Sequence, residues 1–151
     1  MARPSASNAL PPPAPLQVQV LGPDASDRGP ADVRRLLSLH SSGRFRRDRL
    51  AHATRVVARS GVQVVGVAAY ERVGAELRVI EMVVESATTV CHTDVIAQLL
   101  SALEMAALAG GCRRIVLFPT AVLAAAALEP MGYRVMTDGA PGGWLEKTFH
   151  A

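Results

Sequence analysis

Glu76–Gly111 reads ELRVIEMVVESATTVCHTDVIAQLLSALEMAALAGG, and the fold turns on how this stretch is divided. Leu77 to Val84 is apolar with β-branched residues at odd and even positions alike, which predicts a strand buried on both faces. Val95, Ile96, Leu99, Leu100, Leu103 and Ala107 recur at three- and four-residue spacing, the stripe of an amphipathic helix. Gly110-Gly111 then predicts its C-terminal cap. A polar loop, Ser86 to Thr93, joins the two elements. A strand that feeds a helix N-terminus aims unpaired N–H groups and a partial positive charge at one spot, a ready place for a phosphate.

Downstream, Arg113–Phe118 (RRIVLF) predicts another buried strand, stopped by Pro119. The helix between is then a crossover that makes this strand parallel to Leu77–Val84. Thr120 can cap an alanine-rich helix that must end near Pro130 and Gly132. Tyr133–Thr137 and Trp144–Phe149, around the Gly/Pro-rich turn Asp138–Gly143, predict a closing hairpin. Upstream, Arg55–Arg59, Val62–Glu71 and Ala75–Val84, separated by turns at Ser60-Gly61 and Val73-Gly74, predict a three-stranded antiparallel meander.

The chain before that supplies a first strand, Gln17–Val20, stopped at Gly22-Pro23. A helix over Asp27–Gly43 follows, with Val33, Leu36, Leu37 and His40 on one face, and a second short helix runs from Arg44 to about Ala53. The order is β α α β β β α β α β β. Met1 to about Pro15 carries five prolines and almost no large apolar side chain. It cannot bury enough surface to offset its ordering entropy and is expected to be a disordered tail. A Pro-rich ligand for an SH3-like partner is the alternative reading. Residues 16–150 are expected to form one domain.

At 151 residues the chain can bury a real core without staples. Half the residues are hydrophobic, yet no apolar run approaches the roughly 20 residues of a membrane helix. No signal-peptide core is present near Met1, so a cytoplasmic protein with no membrane partner is expected. Two cysteines, Cys91 and Cys112, fit a reducing compartment. The formal charge is +3, carried almost wholly by arginine, with Lys147 the single lysine. Between Arg34 and Arg59 eight arginines face one acid, Asp48. This reads as a solvated face packing on its apolar stems, or as an electropositive rim that draws in an anionic ligand. A nucleic-acid partner is not expected, because neither a helix-turn-helix pattern nor interleaved aromatics accompany the charge.

Element order and four local phrases together resemble the GNAT family of N-acetyltransferases over about Leu16 to Phe149. The phrases are the meander ending in IEMVV, the helix LLSALEMAALAGGCRRIVL, the MGY at Met131–Tyr133 and the terminal WLEKTF. The resemblance implies an α/β fold: a mixed, mostly antiparallel central sheet with helices on both faces. It implies that Ala75–Val84 and Arg113–Phe118 splay apart, that the gap holds the pantetheine arm of acetyl-CoA, and that the next helix N-terminus holds its pyrophosphate. The cofactor-binding residues so implied are Met82, Val83 and Val84 on the strand and Thr89, Val90, Cys91, His92, Thr93, Asp94 and Val95 around the loop. Backbone N–H groups of Val83 and Val84 would polarise the thioester carbonyl. The acceptor implied is a small-molecule or peptide amine.

The chain departs from the family pattern in three places. The family's phosphate loop reads Arg/Gln-x-x-Gly-x-Gly/Ala, whereas TTVCHTDVIA contains no glycine, so the loop is degenerate where close backbone approach matters. Asp94 brings a carboxylate to the first helical turn, opposing a diphosphate while stabilising the helix end. Leu128 stands where many members carry a tyrosine that protonates the departing thiolate.

Glu81 is the candidate catalytic residue. A carboxylate mid-strand among Val79, Ile80, Met82 and Val83 is costly unless paired or protonated, and suits a general base that takes a proton from an incoming ammonium. The alternative is that Glu81 pairs with Arg78 or Arg114, or reaches solvent at the cleft. Cys91-His92 has no second Cys/His cluster at metal spacing, so no metal site is expected. Cys112 is expected to pack as a small apolar residue, and Trp144 and Tyr133 to seal the end of the sheet. Two functions remain open: an acyltransferase from coenzyme A to an amine, and a GNAT-like domain without acetyl-CoA that serves as a binding, homodimerising or regulatory module.

Overall fold

The computed structural model describes residues 15–21, 53–85, 91–117, 128–136 and 144–149. Alternating and apolar runs become strands β1 (Leu16–Leu21), β2 (Thr54–Ser60), β3 (Gln63–Val73) and β4 (Glu76–Val84). Two-residue turns join β2 to β3 and β3 to β4. Each opens on a glycine in the left-handed region, Gly61 at φ 61° and Gly74 at φ 60°, the conformation that tight hairpins demand. Helix α1 (His92–Ala109) follows, then β5 (Arg114–Leu117), a 3-10 turn at Glu129–Met131, and the short strands β6 (Arg134–Val135) and β7 (Leu145–Thr148).

The seven strands form one sheet in the order β1-β2-β3-β4-β5-β7-β6. Every neighbouring pair is antiparallel except β4 and β5, which run parallel as the crossover through α1 requires. The closing hairpin is inserted with its second strand, β7, against β5.

Helix α1 buries Val95, Leu99, Leu100, Leu103 and Ala107, the predicted stripe with Ile96 at its half-buried edge. Its end is closed as the glycine pair predicts. Gly111 is left-handed at φ 72°, and the N–H of Cys112 donates to Ala107 O at 2.8 Å while that of Gly111 donates to Leu108 O at 3.1 Å, a Schellman arrangement. Beneath the helix one core face gathers Val56, Ala68, Leu77, Met82, Ile115 and Leu145, with Cys112 and Tyr133 packed among them as expected. The far face of the sheet carries smaller clusters, Val57 with Val64, Val67 and Val83, and Ala53 with Ala69 and Ile80.

Two contacts set the helix direction. Val95 in its first turn lies on Gly66, which is in register with Val84 at the end of β4. At its other end Gly110 O accepts a hydrogen bond from Arg72, which is in register with Leu77 near the start of β4. The helix therefore runs back along β3 and β4 with its N-terminus beside the C-terminal end of β4.

The tail to residue 14, the helices predicted over Asp27–Gly43 and Arg44–Ala53, the loop Ser86–Val90, most of the alanine-rich helix and the turn Asp138–Gly143 lie outside the described residues. Leu128 is helical and joins the core under α1. No helix among the described residues is long and apolar enough to cross a membrane.

Candidate functional site

Parallel pairing of β4 with β5 begins where the N–H of Arg113 donates to Ala75 O at 2.7 Å. It continues through Glu76↔Arg114, Leu77↔Ile115 and Arg78↔Val116, and stops there among the described residues. Beyond that point each strand keeps its other neighbour. β4 stays with β3 as far as Gly66↔Val84, while β5 stays with β7 to Leu117↔Leu145. Among the described residues β4 and β5 are thus joined at Glu76–Arg78, while Val79–Val84, about 20 Å at strand rise, continues along β3.

The directions of the β4 peptide groups follow from the pleat. The N–H of Glu85 donates to Val65 O at 2.8 Å, and antiparallel pairing alternates. Val83 and Glu81, in register with Val67 and Ala69, turn their N–H groups toward β3. Met82 and Val84 turn theirs away from β3.

A β-bulge decides where Glu81 points. The register jumps from Tyr70↔Val79 to Ala69↔Glu81, leaving Ile80 as the extra residue. Below it Leu77 and Val79 face α1; above it Met82 and Val84 do. Period-two alternation from Leu77 alone would have put Glu81 under the helix. The extra residue turns it to the far face, in a row with Ala69 and Arg55. Glu81 is 5 % exposed and Arg55 8 %, the buried charged residues among those described.

The two arginines proposed from sequence as partners of Glu81 are held elsewhere. Arg78 lies 2.7 Å from Glu76, and Arg114 lies 2.8 Å from Glu76 and 3.2 Å from Glu146. Arg55 is a departure from the solvated arginine face: it sits on β2 between strand neighbours, and its place among Thr54–Ser60 was the signal that it belongs to the sheet.

Around the helix start, Thr89 and Val90 lie outside the described residues. The loop ends earlier than expected, because Cys91 is the N-cap and His92 and Thr93 are already helical. Cys91 O accepts from the N–H groups of Asp94 at 3.0 Å and Val95 at 3.1 Å, and no side chain caps the helix. Cys91, His92, Thr93 and Asp94 are exposed, with Asp94 in the first turn as expected. Val95 is fully buried, so its side chain belongs to the core and only its backbone faces the site.

Leu128 is 1 % exposed and packs in the core. Near the joint of β4 and β5, Lys147 Nζ lies 2.6 Å from Glu104 Oε1 and 5.7 Å from the Tyr133 ring centre, and the Tyr133 hydroxyl donates to the same oxygen at 3.4 Å. Burial first, and the Glu104 carboxylate second, push the Tyr133 phenol well above its ordinary range. A recess lined by Val73, Ala75, Glu76, Arg113 and Arg114 opens at the joint of β4 and β5.

No family model matches the sequence, and no curated protein matches it either. Solved structures do. An acetyltransferase of Bacillus subtilis in complex with CoA aligns over 90% of this chain and 100% of its own at 12% identity and TM-score 0.70. IAA acetyltransferase from Bacillus cereus aligns over 89% and 100% at 16% identity and TM-score 0.68. N-acetylglutamate synthase from Neisseria gonorrhoeae, complexed with coenzyme A and L-arginine, aligns over 89% of this chain and 34% of its own at 13% identity and TM-score 0.67. The chain has the acyl-CoA N-acyltransferase (GNAT) fold. In this chain the sheet is mixed and seven-stranded, with β4 and β5 as its parallel pair.

Proposed function

We propose that this chain is an N-acyltransferase that moves an acetyl or other acyl group from coenzyme A to a primary amine. The observation that carries the reading is the course of β4 within the shared fold: its C-terminal end lies beside the N-terminus of α1 on the helix face, and its buried Glu81 lies on the far face. An acyl thioester of coenzyme A would supply the activated carbonyl and a thiolate leaving group.

Each part of the chain then has a task. The first turn of α1 offers unpaired N–H groups to phosphates on the helix face. The N–H groups of Met82 and Val84, rather than the pair Val83 and Val84, point away from β3 and are the ones to donate to a carbonyl oxygen. Glu81 takes the proton of an ammonium group arriving on the far face, freeing the nitrogen lone pair for attack on the carbonyl carbon. Leu128 contributes no acid. A departing thiol of about the cysteine pKa, about 8.5, can leave as thiolate and take its proton from water, so the leucine is compatible with turnover.

Calorimetric titration with acetyl-CoA tests this. The expected result is saturable binding, weakened by Asp94 and by the glycine-free loop. Absence of binding up to millimolar concentration would overturn the proposal. It would leave the second reading, a GNAT-like domain that acts by binding or dimerising, which the loop sequence and Leu128 favour.

A further inference from the structure

Helix α1 carries a second stripe, on the side turned away from the sheet. Gln98, Ser101, Met105 and Leu108 follow one another at intervals of three, four and three residues, and all four are exposed. They lie opposite the buried Leu99, Leu103 and Ala107, so they form the outer ridge of the helix. Met105 at 70% and Leu108 at 59% are more exposed than any large apolar side chain on the described strands. The flanks of the ridge are Ala97, Ala102, Ala109 and Glu104, and Glu104 is held by Lys147 at 2.6 Å. From Val95 to Ala109 the outward side of the helix therefore shows water no unmatched charge.

Charge returns at the two ends of the ridge, with opposite sign. Asp94 stands in the first turn, four residues before Gln98. Arg113 follows the last helical residue by four. Its N–H donates to Ala75 O at 2.7 Å and its O accepts from the Phe149 N–H at 2.8 Å, so its backbone is in the sheet. Ile115, two residues on, packs under α1, and strand alternation puts Arg113 on that same side. Asp94 and Arg113 are both exposed, and among the described residues neither is in an ion pair.

We infer that this ridge is an interface between two copies of the chain, packed as an antiparallel helix pair. Alternation of three and four residues keeps one seam of a helix against a partner helix. A two-fold axis midway between Ser101 and Met105 sets Ser101 against Met105 of the second copy, where the small serine leaves the space that the methionine fills. It sets Gln98 against Leu108 of the second copy, and the flanking alanines permit close approach. The same axis brings Asp94 beside Arg113 of the second copy at both ends of the pair. A parallel pair would set Asp94 against Asp94, whereas the antiparallel pair matches every charge and lays each helix's positive end beside the other's negative end. One patch thus complements itself, as a two-fold interface requires. The inference does not depend on the acyl-donor reading.

Sedimentation velocity of the whole chain over a concentration series tests it. Wild type should dimerise as concentration rises. Met105→Glu, at an exposed position, should keep the melting midpoint and weaken the dimer at least about tenfold, because it sets two like charges in a desolvated seam. Arg113→Glu and Asp94→Arg should each weaken it by about two- to tenfold, the scale of an exposed ion pair made twice, and the double variant should restore it. A wild type that stays monomeric up to millimolar concentration would overturn the inference and leave the ridge to an unlike partner. So would a Met105→Glu dimer as tight as wild type, or a double charge variant no tighter than its singles. Should Met105→Glu fail to fold, the charge exchange decides alone.

Discussion

Replacing Gly66 with Ala should loosen the seat of α1, and the size of the effect can be worked from the contacts. A Cβ at position 66 would lie 2.6 Å from Val95 Cγ1, 3.0 Å from Leu99 Cδ1 and 3.4 Å from Val83 O. Carbon atoms pack at about 3.5–4.0 Å, so the overlap with Val95 is about 1 Å. Gly66 is not among the glycines with positive φ, so alanine brings no backbone strain of its own. Leu99 can give way at its flexible end. Val95 cannot, because a β-branched residue in a helix is held to one χ1 rotamer. The first turn of α1 must therefore lift. Overpacking of this kind costs about 1–3 kcal/mol, offset by about 0.4–1 kcal/mol from the stiffer unfolded chain. The net expectation is a loss of about 1–2 kcal/mol in urea unfolding. Val95→Ala removes the clashing methyls, so the double variant should be more stable than the sum of the singles, with a coupling of at least about 0.5 kcal/mol. Strict additivity, or a neutral Gly66→Ala, would refute the close seating of the helix. The same lift moves the helix N-terminus relative to Val84, so coenzyme A affinity should fall in the single variant and recover in the double.

Three further outcomes are expected. Glu81→Gln should lower acyl transfer to an amine panel by about 10²- to 10⁴-fold, the range for a lost general base, with coenzyme A affinity unchanged by calorimetry; undiminished turnover would remove Glu81 from the chemistry. Asp94→Asn should tighten coenzyme A binding by about 0.5–1 kcal/mol, the scale of one charge at a helix end, while lowering the melting midpoint slightly; unaltered affinity would mean that no phosphate sits at the first turn. Tyr133 holds its proton in the folded state to higher pH than in the unfolded chain. Its contribution is therefore fully present below the unfolded value of about 10 and is lost as pH rises above it. Between pH 9 and 11 wild-type stability should fall more steeply than that of Tyr133→Phe, and parallel curves would argue against a shielded phenol.

Most of the fold was legible because it rests on local rules. The stripe Val95–Ala107, the Gly110-Gly111 stop and the hairpin glycines each fix an element by short-range geometry, and the parallel placement of β5 follows from the helix between two buried strands. The facing of Glu81 was not legible in the same way. Its facing depends on a single bulged residue, Ile80, inside a run where every neighbour is apolar, so period-two counting has nothing to register the slip against. Arg55 was expected in a strand, yet charge counting also joined it to the arginines before it; the strand reading holds and places it in a buried row with Ala69 and Glu81.

The bulge gives β4 its two different faces beyond Val79. Had β4 kept regular alternation, Glu81 would lie under α1 with Leu77 and Val79, in the apolar core and on the same side as the helix N-terminus. Met82 and Val84, which the bulge brings under the helix, would then turn to the far face. One extra residue, Ile80, therefore completes the apolar face and carries the acidic side chain across the sheet from the helix N-terminus, at the cost of a local break in the β3–β4 ladder. A buried carboxylate adds nothing to an apolar core, which is the physical reason to look for the chemistry at Glu81, and not at the loop whose glycines are absent.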